Sequence, residues 1–185
     1  SLPLFGPHWS FALALYARPG VAEACLKLQD ALGADLNVLL FALYAASERG
    51  IFFQEKDLIS IDDAIAGWRE EIVVKLRFVR RRLKGGPFPA PGPDSEALRD
   101  NLKKVELRAE QIEQAVLAKW LEENATSVRA QLRDRTSLLV EVATFYARRC
   151  GRESSLEAPE LKEAMHLIDE AQRCIENAAP SKGEH

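Results

Sequence analysis

The fold is decided by the stretch Leu36-Asn37-Val38-Leu39-Leu40-Phe41-Ala42-Leu43-Tyr44-Ala45-Ala46. Ten of these eleven residues are apolar, so a helix formed here has no face left for water and must be surrounded by other elements. The run is too short to span a bilayer, and it ends at Ser47-Glu48-Arg49-Gly50, where the glycine is placed to terminate a helix. We therefore predict a buried central helix at about residues 35–48.

Apolar residues that recur at three- and four-residue steps predict further helices on both sides of the central one. Pro7 is placed to begin the first helix, and Gly33 to end the second. A long helix is predicted to begin at Ser60, in an imperfect capping box, and to end at Gly85. The faces of these three helices are Trp9, Leu13 and Tyr16; Val21, Cys25, Leu28 and Leu32; and Ile61, Ile65, Trp68, Ile72, Leu76, Val79 and Leu83.

The second half of the chain follows a proline-rich linker at residues 86–94, which favours an extended segment. Two later helices are predicted, one from Thr126 or Ser127 to Cys150 and one from Pro159. Their apolar faces are Val128, Leu132, Leu139, Val142, Ala143 and Tyr146; and Leu161, Ala164, Met165, Ile168 and Ile175. The organisation predicted is a helical core at 1–85, the linker, further helices at 95–178 that pack on the core, and a frayed tail at 179–185. The fold class predicted is an all-α bundle of six or seven helices.

A heptad-like seam occupies the helix after the linker. It could pair within the chain or across a homodimer, and the spacing does not decide between the two. Its members, spread over residues 98–120, are Leu98, Leu102, Val105, Ala109, Ile112, Val116 and Trp120.

Composition and charge limit the classes of function that this chain can have. The 185 residues carry a net charge of −3, so no global basic field draws the protein to nucleic acid. The scattered Cys25, Cys150 and Cys174 form no zinc or disulfide pattern and fit a reducing cytoplasm. One E-x-x-H step, Glu163 to His166, is too little for a di-iron site. We predict no metal, no cofactor and no catalytic residue.

One candidate small-molecule site consists of polar residues around the start of the central helix: Asp30, Asp35 and Asn37, with Trp68 from the long helix. Asn37 lies one turn inside an apolar helix, where an unpaired buried amide costs about 1–3 kcal/mol. The alternative is structural. In that interpretation Asp35 caps the helix and Asn37 ties down the preceding turn.

A second candidate is the basic segment at residues 75–84. A phosphate-rich partner would suit the cations Arg77, Arg80, Arg81 and Lys84. Arg77, Arg81 and Lys84 are expected together, opposite the apolar face. The competing interpretation is a solvated helix end, because cations in the last turns of a helix complement its dipole.

The first 85 residues also resemble a family of uncharacterised proteins from Proteobacteria, a domain of unknown function. The resemblance spans roughly residues 5–85 and implies a bacterial, cytoplasmic, helical protein, with no activity to carry over. It rests on Trp9-Ser10-Phe11, Leu15-Tyr16-Ala17, Pro19-Gly20-Val21, Ala24-Cys25-Leu26, Leu28-Gln29-Asp30, Gly33, Asp35, Asn37 with Leu39-Leu40-Phe41, Trp68-Arg69, and Leu76-Arg77 through Arg80-Arg81 to Lys84.

These observations favour a non-catalytic binding or scaffold protein that acts through a helix face, with self-association through the seam at 98–120 as one arrangement. The alternatives are phosphate or nucleic-acid binding by residues 75–84 and a small-molecule site at Asp30, Asp35 and Asn37. No membrane role is predicted.

Overall fold

The computed structural model describes residues 1–125 and 135–178, and in these ranges every regular element is helical. A π-helical turn, Arg69–Val73, joins two helices into one rod, and counting that rod once gives seven helices in the described ranges, as predicted. The helices are α1 Pro7–Tyr16, α2 Val21–Leu32, α3 Leu36–Arg49, α4 Glu55–Trp68, α5 Val74–Arg82, α6 Pro93–Asn124, α7 Arg135–Arg149 and α8 Pro159–Ala178.

Helix α3 lies at the centre, as its sequence predicts. Every residue from Val38 to Ala46 is buried, and α1, α6 and α7 pack around the helix. The Asp35 carboxylate caps it by accepting from the amides of Asn37 (2.8 Å) and Val38 (3.2 Å). Gly50 ends the helix with a φ of 63°, a left-handed conformation that glycine adopts without strain.

The apolar faces of α2, α7 and α8 close the core around α3. Each large side chain buried there contributes roughly 1.5–3 kcal/mol before the cost in entropy. The predicted positions Val128 and Leu132, the helix start at Thr126 or Ser127, and the tail at 179–185 lie outside the described residues. Buried as predicted are Val21, Cys25, Leu28 and Leu32; Leu139, Val142, Ala143 and Tyr146; and Leu161, Ala164, Met165 and Ile168.

The start of α4 corrects the sequence prediction. The helix begins at Glu55 rather than Ser60, because the backbone amide of Gln54 donates to the Asp57 carboxylate (2.9 Å) and completes a capping box there. The Ser60 hydroxyl lies inside the helix and accepts from the indole nitrogen of Trp120 (3.0 Å).

The π turn changes which residues of the long rod face the protein. A π turn adds one residue to a helix, which rotates everything beyond it by about 100°. The face predicted from the sequence was therefore wrong at Ile72 and Val79. Ile72 and Val79 are 36% and 44% exposed, whereas Val73 is 2% exposed. The rotation also turns Arg77 and Arg80 toward α6, where both are partly buried.

Helix α6 uses its predicted seam within the chain over its second half. Ala109 is buried, and Val116 and Trp120 pack against the core. Leu98 and Val105, in the first half, are both 51% exposed. A second copy of the chain would therefore find only the Leu98–Val105 half of the seam available.

Candidate functional site

Two clefts meet at the start of α3, and both are lined by Gln29, Leu36, Asn37 and Arg77. We call them the apolar cleft and the polar cleft. The short α2–α3 connection places the end of α2 beside the first turn of α3, so Gln29, Leu36 and Asn37 from these two helix ends contribute to both clefts.

The apolar cleft has a volume of about 370 Å³. Its hydrophobic wall includes the predicted apolar face of α1, formed by Trp9, Leu13 and Tyr16. Leu13 and Tyr16 therefore line this cleft and do not belong to the core. A cleft of this size is within the range that holds small ligands. The apolar and aromatic lining residues are Trp9, Ala12, Leu13, Tyr16, Leu26, Leu36, Leu40 and Leu107.

Two arginines of α5 are held by acids of α6 at one side of the apolar cleft. Arg77 donates from Nε to Glu106 (3.0 Å) and from Nη2 to Glu110 (2.9 Å). Arg80 donates to both carboxylate oxygens of Glu106. Burial alone would raise the pKa of Glu106, but the bonds from Arg80 and Arg77 outweigh burial and lower it. Arg77 and Arg80 are therefore already engaged.

Three other cations of the apolar cleft have no such partner. Arg81, Lys103 and Lys104 line it, are exposed, and form no ion pair with any residue that the structure describes. The cleft thus combines an apolar wall with positive charge that the described residues leave unneutralised.

The polar cleft, of about 340 Å³, contains a network centred on Arg69, the first residue of the π turn. The Arg69 guanidinium donates to Asp62 Oδ1 (2.5 Å) and Oδ2 (3.3 Å), and to Asp35 Oδ2 (3.2 Å). The Tyr146 hydroxyl also donates to Asp62 (2.8 Å). Burial opposes ionisation of Asp62, but the bonds from Arg69 and Tyr146 prevail and lower its pKa. One network therefore links α3, α4 and α7.

Glu113 is the unusual member of the polar cleft. Its side chain is fully buried, and neither carboxyl oxygen has a hydrogen-bond donor among the described residues. Burial and the neighbouring Asp35 carboxylate raise the pKa of Glu113 to about 10. At neutral pH Glu113 consequently keeps its proton, which is placed to hydrogen-bond with the Asp35 carboxylate.

The Asn37 side chain is tied to α6 rather than to the turn before it. Gln114 Nε2 donates to the backbone oxygen of Asn37 (2.9 Å) and to its side-chain Oδ1 (3.3 Å). The amide at the start of the central helix therefore has a partner that lies 77 positions later in the chain.

The structure brings some of the predicted site residues together and separates others. Asp35 and Asn37 both line the polar cleft. Asp30 is exposed at the end of α2, where its backbone oxygen accepts from Arg152 (2.9 Å), and Trp68 donates to the backbone oxygen of Ala109 (3.0 Å). Of the basic set, Arg77, Arg80 and Arg81 line the apolar cleft, whereas Lys84 is exposed outside it.

Sequence reasoning did not identify Asp62, Arg69, Glu106, Glu113 or Tyr146 as site residues. One available signal was the pair Glu113-Gln114, which interrupts an otherwise apolar run from Ile112 to Ala118. Buried charged residues need partners, so a charge inside an apolar run indicates a network or a site. The partners themselves lie on other helices and leave no local pattern.

Comparison with known families places this chain. A family model described as "Protein of unknown function (DUF2390)" matches residues 7–117. The chain belongs to this family. The DUF2390 match confirms the resemblance in the N-terminal half and extends it across the proline-rich connection into α6. No curated protein and no solved structure matches the chain.

The DUF2390 range contains most of both clefts, including the buried Glu113. Tyr146 and Arg149, which complete the polar cleft, lie beyond it. Across residues 1–125 and 135–178, no helix has the length and apolar character needed to cross a membrane. In the same ranges no three His, Cys, Asp or Glu side chains are grouped to hold a metal ion.

Proposed function

We propose that the protein is a non-catalytic binding protein for a small amphipathic anion, held in the apolar cleft. The observation that carries this proposal is the position of Arg81, Lys103 and Lys104 on a cleft that also has a wall of apolar and aromatic side chains. An apolar ligand body would bury surface against Leu13 and Tyr16, and a carboxylate or phosphate head would meet the unpaired cations. A bacterial, cytoplasmic setting is part of the proposal and is supported by the family resemblance.

Glu106 and Glu110 support the same assignment of roles. They neutralise Arg77 and Arg80, which fixes those two guanidinium groups as part of the cleft wall. The exposed cations Arg81, Lys103 and Lys104 are left to select the ligand by charge. This division explains why only part of the basic segment is available to a partner.

The test measures binding of decanoate and of 1-naphthyl phosphate by calorimetry, with 1-decanol as an uncharged control. The variant R81Q/K103Q/K104Q removes the unpaired cations, and R18Q/R82Q/K84Q removes the same charge from exposed positions outside the cleft lining. We expect an anion to bind the unchanged chain, and the first variant to weaken binding about tenfold if each contact contributes about 0.5 kcal/mol. Equal binding by the two variants, or equal affinity for decanol, would contradict the proposal.

Nucleic-acid binding through residues 75–84 is a second candidate, favoured by the exposure of Arg81 and Lys84. It predicts a salt-dependent affinity whose slope falls by about 0.7–0.9 for each phosphate contact removed. R81Q should reduce that slope. R77Q should leave it unchanged, because Arg77 is occupied by Glu106 and Glu110. Filter binding measures the salt dependence of the affinity, from the retention of labelled single-stranded and double-stranded DNA at several salt concentrations.

A further inference from the structure

The polar cleft has too few positive groups for the carboxyl groups that line it. Four carboxyl groups, those of Asp35, Asp62, Glu70 and Glu113, line the cleft. Arg69 and Arg149 face them, and the third guanidinium, that of Arg77, is occupied by Glu106 and Glu110. With every carboxyl group ionised, the cleft would therefore hold more negative than positive charge.

The excess concerns Glu113 in particular. Asp62 accepts hydrogen bonds from Arg69 and Tyr146 and forms an ion pair with Arg149 at 3.5 Å. Asp35 accepts hydrogen bonds from Arg69 and from the two backbone amides that it caps. Glu113 receives no donor from the described residues, although it is fully buried. A buried carboxyl group in this position either keeps its proton or takes a cation from outside.

We propose that the polar cleft is a second binding site, which accepts the primary ammonium group of a ligand between Asp35 and Glu113. An ammonium group has three donors and a full positive charge, so it supplies both the hydrogen bonds and the charge that Glu113 lacks. Asp35 is already adjacent to Glu113, and the α2–α3 connection holds it there as the cap of α3.

Binding of an ammonium ion exchanges one positive group for another. The carboxyl proton of Glu113 leaves to solvent as the ammonium group arrives, so the net charge of the cleft is unchanged. The charged and titratable groups around this exchange are Asp62 on α4, Arg69 and Glu70 on the π turn, Arg77 on α5, Glu110 on α6, Tyr146 and Arg149 on α7, and Cys150 directly after α7. Asp62 and Asp35 keep the hydrogen bonds that they already accept.

The experiment follows the Glu113 carboxyl carbon by NMR in protein labelled with 13C at glutamate side chains. The resonance is assigned by its loss in E113Q, and the exposed-acid variant E71Q serves as the matched control. At pH 7 we expect a protonated Glu113 in the free protein. Titration with n-butylammonium should move the resonance to its ionised position, whereas n-butanol, which has the same size and no charge, should leave it in place.

The same titration in E113Q and E71Q tests whether Glu113 binds the ammonium group. We expect the affinity for n-butylammonium to fall about tenfold in E113Q and to be unchanged in E71Q. Undiminished binding to a folded E113Q, or a Glu113 resonance that does not respond to the amine, would overturn the proposal. Neither outcome depends on decanoate, so this site and the apolar cleft succeed or fail separately.

Discussion

Arg69, on the π turn, donates to both carboxylate oxygens of Asp62, which lies seven positions earlier in the same rod. Asp62 is 2% exposed, so its charge depends on that guanidinium and on Tyr146. The pair lies where α4, α7 and the start of α3 meet, because Arg69 also reaches Asp35. Through Asp35 and Tyr146 it connects α4 to the start of α3 and to α7.

Replacing Arg69 by Met should therefore destabilise the protein by about 3–5 kcal/mol, the cost of leaving a buried carboxylate without its partner. Urea unfolding measures this change. The control is K75M, which removes the exposed pair of Lys75 with Glu71 and should cost about 0.5 kcal/mol or less. A similar loss in both variants would contradict the role assigned to the buried pair.

The variants N37A and Q114A should differ in stability. In N37A the Gln114 amide still donates to the backbone oxygen of residue 37, so the loss should be about 0.5–1 kcal/mol. In Q114A both bonds and a fully buried side chain are lost, and we expect about 2–4 kcal/mol. Thermal unfolding of the two variants compares them, and a larger effect for N37A would show that the Asn37 side chain has a role beyond this contact.

Replacing Glu113 by Gln should change how stability depends on pH. The folded-state pKa of Glu113 is raised to about 10, so the folded chain keeps a proton that the unfolded chain loses above its ordinary value of about 4.3. The stability due to that proton is complete below about pH 4.3 and falls as pH rises toward 10, by up to about 1.4 kcal/mol per pH unit. E113Q should remove this fall.

Unfolding free energies of E113Q and the unchanged chain, measured from pH 5 to 9, give the comparison. E113Q should gain relative stability as pH rises. E71Q, which alters an exposed acid on the π turn, should follow the unchanged chain throughout. Parallel curves for E113Q and the unchanged chain would mean that Glu113 is already ionised in the folded protein.

Replacing Glu106 by Gln should strengthen anion binding while weakening the fold. Glu106 neutralises Arg77 and Arg80 at the apolar cleft, so its loss leaves more positive charge facing a ligand. We expect decanoate to bind about two- to fivefold more tightly and stability to fall by about 1–3 kcal/mol. Calorimetry and urea unfolding measure the two effects, and E96Q, on the same helix outside the cleft lining, should change neither.

The sequence predicts the helices and the central position of α3 because apolar periodicity and helix caps are local signals. Asp35 is an example, since a cap acts within three residues of its own position. Glu106 and Glu110 illustrate what it does not predict. Their arginine partners lie 26–33 positions earlier, across a proline-rich connection, and no spacing rule pairs them.

The face of α5 was predicted wrongly for a different reason. Periodicity assumes one uninterrupted helical repeat, and the π turn breaks that assumption between Trp68 and Val74. The prediction was therefore right for Ile61 and Ile65 and wrong for Ile72 and Val79. The same displacement hid the true environment of Arg77, which was expected opposite the apolar face, and that of Arg80.

The extra residue in the segment Arg69–Val73 makes the length of this segment as important as its composition. Deleting one residue there would restore an unbroken α-helical repeat and swing everything downstream back by about 100°. Arg77 and Arg80 would then lose their ion pairs with the glutamates of α6. The apolar cleft would lose one of its walls although none of its lining residues had been replaced. A single inserted residue thus sets the rotation of α5 about its axis. That rotation decides which charged side chains of α5 and α6 meet across the proline-rich connection.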